Sequence, residues 1–138
     1  MSRSGYSDDS DDCENLQLWR GAVRRAIQGR RGQAFLRDLL KAMEALPEKR
    51  LIADELETEK GVCAIGSVGR MRGIDMSALD VHDWDMLGEK FGIARAMVQE
   101  IEYINDEHGQ TPEHRFEAVR KWAEGQLLGT QDSRALSF

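Results

Sequence analysis

Long apolar runs are missing from this chain. None approaches the roughly 18 residues that a helix needs to span a bilayer, so no membrane partner is expected. Cysteine is scarce: Cys13 and Cys63 are the only two and stand fifty positions apart. That count is too small for a disulfide framework, and both are expected to be free thiols in a reducing compartment. Proline occurs twice, at Pro47 and Pro112, each beside the end of an expected helix. Basic residues are nearly absent from Met1–Glu14, which carries five acids against the single Arg3. The basic-then-apolar order of a secretion signal is therefore lacking, and the expected location is the cytoplasm.

What remains is ordinary globular material. The 138 residues, 41% hydrophobic and 32% charged, have room for one domain with one core. The net charge of −6 is unevenly placed, with nine bases against three acids in residues 15–50 and nine against seventeen in residues 51–138. A basic end and an acidic remainder follow, which bears on partners rather than on fold.

Periodicity predicts a mainly α single domain of about five to six helices, with room for a short strand or two-stranded ribbon near 51–65. Residues 1–14 read as a disordered acidic tail, 15–128 as the helical domain and 129–138 as a flexible tail. A first helix is expected from about Asn15 to Gln28 on Leu16, Trp19, Val23 and Ile27. Gly29 and Gly32, bracketing Arg30-Arg31, mark a short joint to a second helix over Gln33–Leu46, an antiparallel neighbour stopped by Pro47. Leu51–Leu56 suits a short edge strand and Glu57–Gly61 a turn. Val62–Arg72 has helical apolar spacing but several glycines, which imply close approach of a neighbouring helix or backbone. Asp75–Asp83 is a polar connection anchored by Leu79 and Val81. Short and longer helices follow over Trp84–Phe91 and Ala94–Glu107, the latter with Met97, Val98, Ile101 and Ile104 on one face. Thr111 as N-cap and Pro112 at the first helical position open the last helix. Trp19, Phe35, Leu39, Phe91, Ile101 and Trp122 are the expected core.

Three blocks of residues also stand out as a set. The first is Gly29-Arg30-Arg31-Gly32-Gln33-Ala34-Phe35-Leu36-Arg37-Asp38-Leu39-Leu40 with Leu46-Pro47-Glu48-Lys49-Arg50-Leu51-Ile52. The second joins Cys63-Ala64-Ile65-Gly66 to Arg72-Gly73-Ile74-Asp75. The third comprises Phe91-Gly92-Ile93-Ala94, Tyr103-Ile104-Asn105-Asp106-Glu107 and Thr111-Pro112-Glu113-His114-Arg115-Phe116. Over roughly residues 17 to 128 the chain resembles a family of small uncharacterised proteins of tailed phages and prophages of proteobacteria. The resemblance implies a phage setting in the host cytoplasm, and no mechanism.

The best-defined local pattern runs from Leu87 to Ile101. Small Gly88, turn residue Gly92 and apolar Ile93, Val98 and Ile101 match helix-turn-helix spacing. In that reading Arg95, Gln99 and Tyr103 face the major groove, while Glu100, Glu102, Asp106 and Glu107 repel phosphates. A purely structural helical corner is the competing account. On the first helical pair, Arg20, Arg24 and Arg31 share a stripe with Arg25 and Arg30 close by, offering planar donors for carboxylate or phosphate. A solvated face, over which Tyr6 of the tail could fold, is the plainer explanation. Two acidic clusters, Asp80, Asp83, Asp85 and Glu89, then Glu100, Glu102, Asp106 and Glu107, suit a basic partner or simply a soluble surface.

Catalysis has little to rest on. The glycines of Gly61–Gly66 lack the Lys-Ser/Thr of a phosphate loop. Cys63 has no histidine placed beside it by local sequence, since His82, His108 and His114 are all distant, and His108 and His114 lack paired metal spacing. No catalytic, metal or cofactor residue is expected. The favoured function is a non-catalytic phage accessory protein that binds a host or phage protein and modulates a host or defence factor. Its candidate contacts are Arg20, Arg24, Arg25, Arg31, Glu100 and Glu102. The alternative is a small DNA-binding regulator acting through Arg95, Gln99 and Tyr103. Oligomeric state is left open.

Overall fold

The computed structural model describes residues 3–4 and 13–128, with the side chains of the second stretch from Leu18 onward. Helix α1 spans Cys13–Gln28 and helix α2 spans Arg30–Glu44, so the joint between them is Gly29 alone. Gly32 belongs to the first turn of α2, where a side chain would collide with the carbonyls of Ala26 and Ile27. The apolar face of α2 is buried through Phe35, Leu36, Leu39, Ala42 and Met43. Gln33 is buried with them, donating to the carbonyls of Ile27 and Gln126 and accepting from the Leu128 N–H at 2.8 Å. One amide thus ties α1, α2 and the end of the last helix together and meets the demand that buried polar groups be paired.

The expected strand at Leu51–Leu56 does not form. Asp54 adopts φ +71°, which an extended strand cannot contain. The ribbon lies just beyond it, with β1 (Glu57–Thr58) antiparallel to β2 (Gly61–Val62). Cys63 then caps helix α3 (Ala64–Arg72), its sulfur accepting from Gly66 N. The glycines of α3 serve close approach as expected: a side chain at Gly66 would strike the backbone carbonyl of Leu56.

Helix α4 (Trp84–Phe91) is capped by Asp83, turns at Gly92 with φ +75°, and leads to α5 (Arg95–Glu107). A side chain at Gly88 would sit 2.6 Å from the Ile93 carbonyl oxygen, so the corner requires glycine at both positions. Helix α6 (Pro112–Gln126) opens on Thr111, whose hydroxyl accepts from His114 N.

The six helices form a single mainly α domain around two central elements. Helix α2 packs on α1, α3 and α6, and α5 packs on α1, α3, α4 and α6. Phe35, Leu39, Phe91 and Ile101 lie in the core, and Phe35 meets Phe91 edge-on at 6.3 Å between ring centres. Trp19 and Trp122 are only half-buried at its margin, short of the expectation. Among the described residues no helix is long and apolar enough to cross a membrane.

The tail boundaries also differ. Helix α1 begins at Cys13, inside the stretch read as an N-terminal tail, and Arg3 and Ser4 are buried. The remainder of that tail, Tyr6 included, and the expected C-terminal tail from Gly129 lie outside the described residues.

Candidate functional site

Enclosure by four helices determines the chemistry of α5. Besides its apolar stripe of Met97, Val98, Ile101 and Ile104, the helix buries Gln99, Glu102 and Asn105. Glu102 is wholly inaccessible, and the side chain of Asp106 is 4% exposed. Gln99, Glu102 and Asp106 are residues that the sequence placed among surface acids or groove-facing donors. A helix enclosed along two stripes buries polar groups unless something brings them partners.

Arg3 is the partner. Its Nε donates to Asp106 Oδ2 at 2.7 Å and its Nη2 to Asp106 Oδ1 at 3.0 Å, the parallel two-point pairing that a guanidinium makes with a carboxylate. Nη1 lies 3.6 Å from Cys63 Sγ and 3.9 Å from Glu102 Oε2. Asp106 Oδ1 also accepts from Asp54 N and from Asn105 Nδ2, which hold the carboxylate in place from two sides. Asn105 is itself fixed, accepting from Ala64 N at 2.9 Å and donating to the Ile52 carbonyl.

The backbone of the same dipeptide is gripped as well. Trp84 Nε1 donates both to the Arg3 carbonyl at 2.9 Å and to Glu102 Oε1 at 3.1 Å, and Gln99 Nε2 donates to the Ser4 carbonyl at 2.9 Å. Among the described residues two buried side-chain oxygens remain without a hydrogen-bond partner, Glu102 Oε2 and Gln99 Oε1. Burial pushes the Glu102 carboxyl up to about 8; the Arg3 charge pulls it down, the Asp106 charge adds to the rise, and the Trp84 bond pulls it down again. Burial opposes the Arg3 charge too, but Cys63, Asp106 and Glu102 outweigh it and hold the guanidinium above its ordinary value.

The other sequence candidates are placed as follows. Arg20, Arg24, Arg25 and Arg31 are all exposed, the first three from the middle to the last turn of α1 and Arg31 in the first turn of α2. Glu100 is half-buried, so the two acids proposed as partner contacts separate: Glu102 faces inward and Glu100 stays nearer solvent. Arg95 lies over the Trp84 ring at 5.0 Å and pairs with Asp85 at 3.5 Å, and Tyr103 meets His108 edge-on at 4.9 Å. The helical corner that the spacing predicted is therefore present, but its second helix turns Gln99 away from any groove. Cys63 is a buried free thiol whose sulfur contacts Gly66 N and Arg3, while His82 pairs with Asp80. Among the described residues no group of three His, Cys, Asp or Glu side chains could hold a metal ion.

Sequence reasoning missed Arg3, Ser4, Trp84 and Asp106 as members of one site. A signal was present: Gln99, Glu102 and Asp106 recur at helical spacing beside the apolar stripe, and Arg3 is the only base of its acidic segment. Comparison of the chain with protein families, with curated proteins and with solved structures returns no match.

Proposed function

We propose that the chain is a non-catalytic accessory protein, set in a phage-infected cell as its sequence resemblance implies, that acts by binding a protein partner. The observation that supports this reading is the arginine corner. Arg20, Arg24 and Arg25 along α1 and Arg31 in the first turn of α2 are exposed, and none forms an ion pair with a described residue. Each guanidinium is thus available to a carboxylate, and an acidic protein surface complements the cluster. The net charge of −6 on the whole chain opposes close approach to a polyanion, which weighs against nucleic acid as the partner of the same corner. The DNA-reading alternative through α5 loses its footing because Gln99 is buried and Arg95 is occupied by Trp84 and Asp85.

The test is affinity capture from host lysate with the full chain, with and without nuclease, beside the variant Arg20→Glu/Arg24→Glu. A protein recovered after nuclease treatment, lost with the charge-reversed variant and retained by Arg95→Ala, is the expected outcome. Recovery that depends on nucleic acid, or that ignores the charge reversal, overturns the reading.

A further inference from the structure

The buried slot beside α5 holds its occupant as a peptide-binding site holds a ligand. We propose that the slot formed by Trp84, Gln99, Glu102 and Asp106 is a binding site for an arginine-bearing turn of a partner protein, kept closed in this chain by its own Arg3-Ser4. This site is separate from the arginine corner of α1 and α2 and has the opposite charge preference.

Two kinds of contact make the case. Trp84 Nε1 and Gln99 Nε2 donate to the carbonyls of two successive residues in a turn, contacts that any backbone in the same conformation can accept. Asp106 supplies the selective contact, because both its oxygens meet adjacent guanidinium nitrogens at 2.7 and 3.0 Å. A lysine ammonium, a single point of charge, cannot reproduce that parallel pair. The protein's side of the site is carried by helices α4 and α5, and the backbone N–H of Asp54 and the side-chain amide of a fixed Asn105 orient Asp106. It is therefore organised before a ligand arrives.

The tethered dipeptide fits the slot incompletely. Glu102 Oε2 and Gln99 Oε1 are buried and without a hydrogen-bond partner while Arg3-Ser4 is in place, and the nearest guanidinium nitrogen stands 3.9 Å from that Glu102 oxygen. Unmade hydrogen bonds of buried acceptors weaken a complex more than made ones strengthen it. A segment that offers an acceptor to the protonated Glu102 carboxyl, and whose backbone N–H meets Gln99 Oε1, satisfies both atoms and can displace the tethered pair. A second copy of this chain offers only the same imperfect arm, against a tethered arm held at an effective concentration on the order of millimolar. A partner segment of better fit is what the two unsatisfied atoms call for.

The experiment uses full-length Arg3→Ala and, as probe, a synthetic peptide of residues 1–8 with its Arg3→Lys counterpart, titrated by calorimetry. The arginine peptide should bind Arg3→Ala at least about tenfold more tightly than the lysine peptide. Its binding to the wild-type chain, whose slot is filled, should be weaker by about tenfold or more. Asp106→Asn in the Arg3→Ala background should abolish binding, whereas Arg20→Glu/Arg24→Glu should leave it unchanged, which keeps this result separate from the fate of the arginine corner. If Arg3→Ala is unfolded at the assay temperature, the reading becomes the rise in its melting temperature on adding the arginine peptide. Peptide arrays with arginine fixed at one position should then yield sequences that bind the wild-type chain by displacing Arg3. No arginine-selective binding or thermal rise with Arg3→Ala, or no array peptide that displaces Arg3, overturns the proposal. So does a wild-type dimer that Arg3→Ala converts to monomer, which would assign the slot to the arm of a second copy.

Discussion

Replacing Glu102 with glutamine isolates what it costs the fold to bury a carboxyl that is only partly compensated. In the folded chain burial holds this group near pH 8, with Arg3 and the Trp84 hydrogen bond opposing the shift and Asp106 adding to it. In the unfolded chain it returns to the ordinary glutamate range. Between the two values the folded chain keeps a proton that the unfolded chain releases. The contribution of this group to stability is therefore greatest below about pH 4.5 and falls as pH rises, until the folded carboxyl has also lost its proton above about pH 8. At about 1.4 kcal/mol for each pKa unit, the loss across this window is on the order of 3–5 kcal/mol. Glutamine has the shape of the protonated acid, and its oxygen can still accept from Trp84 Nε1. Glu102→Gln should match the wild-type chain within about 1 kcal/mol at pH 5 and exceed it by several kcal/mol at pH 8.5. Urea unfolding followed by tryptophan fluorescence across this range reads the difference, in which every other carboxylate cancels. A difference that stays constant with pH, or a wild-type chain that gains on the variant as pH rises, refutes the reasoning.

Phe35→Ala removes a ring that is 1% exposed and packed edge-on against Phe91, and should cost about 3–5 kcal/mol by urea unfolding. Trp122→Ala, at a half-buried position, should cost less; the reverse order would misplace the core. Gly125→Ala, where an added methyl meets nothing within 4 Å, should raise stability by about 0.5–1 kcal/mol in thermal melts. Gly66→Ala, blocked by the Leu56 carbonyl, should lower it by about 1–3 kcal/mol. In a Cys13→Ser background Cys63, buried beneath Arg3, should react with a thiol reagent no faster than the fold opens, so rapid labelling of the native protein would contradict its burial.

Where local chemistry decides an element, the residues were readable in advance. Gly92, Thr111 and Pro112 mark helix ends because a left-handed turn, capping and a missing N–H act within one turn of backbone. The apolar stripes of α2 and α5 followed from helical period, as did the helical corner at Gly88–Gly92. The strand expected at Leu51–Leu56 failed on one residue, Asp54, which is exposed, has positive φ and donates its N–H to the distant Asp106, a contact that no local pattern shows. The tryptophans misled because apolar character fixes preference for the interior without fixing depth in it.

The candidate slot was least legible. Periodicity put Gln99, Glu102 and Asp106 on one side of a helix, but solvent and a buried partner are equally good explanations of a polar stripe. The deciding contact, from Arg3 to Asp106, spans 103 positions of sequence. By itself the sequence determined the helical elements, their caps and the absence of any long apolar span, because these depend on neighbours along the chain. Only the tertiary structure decided which acids are buried and what neutralises them, because the energy of a buried charge depends on what surrounds it in space.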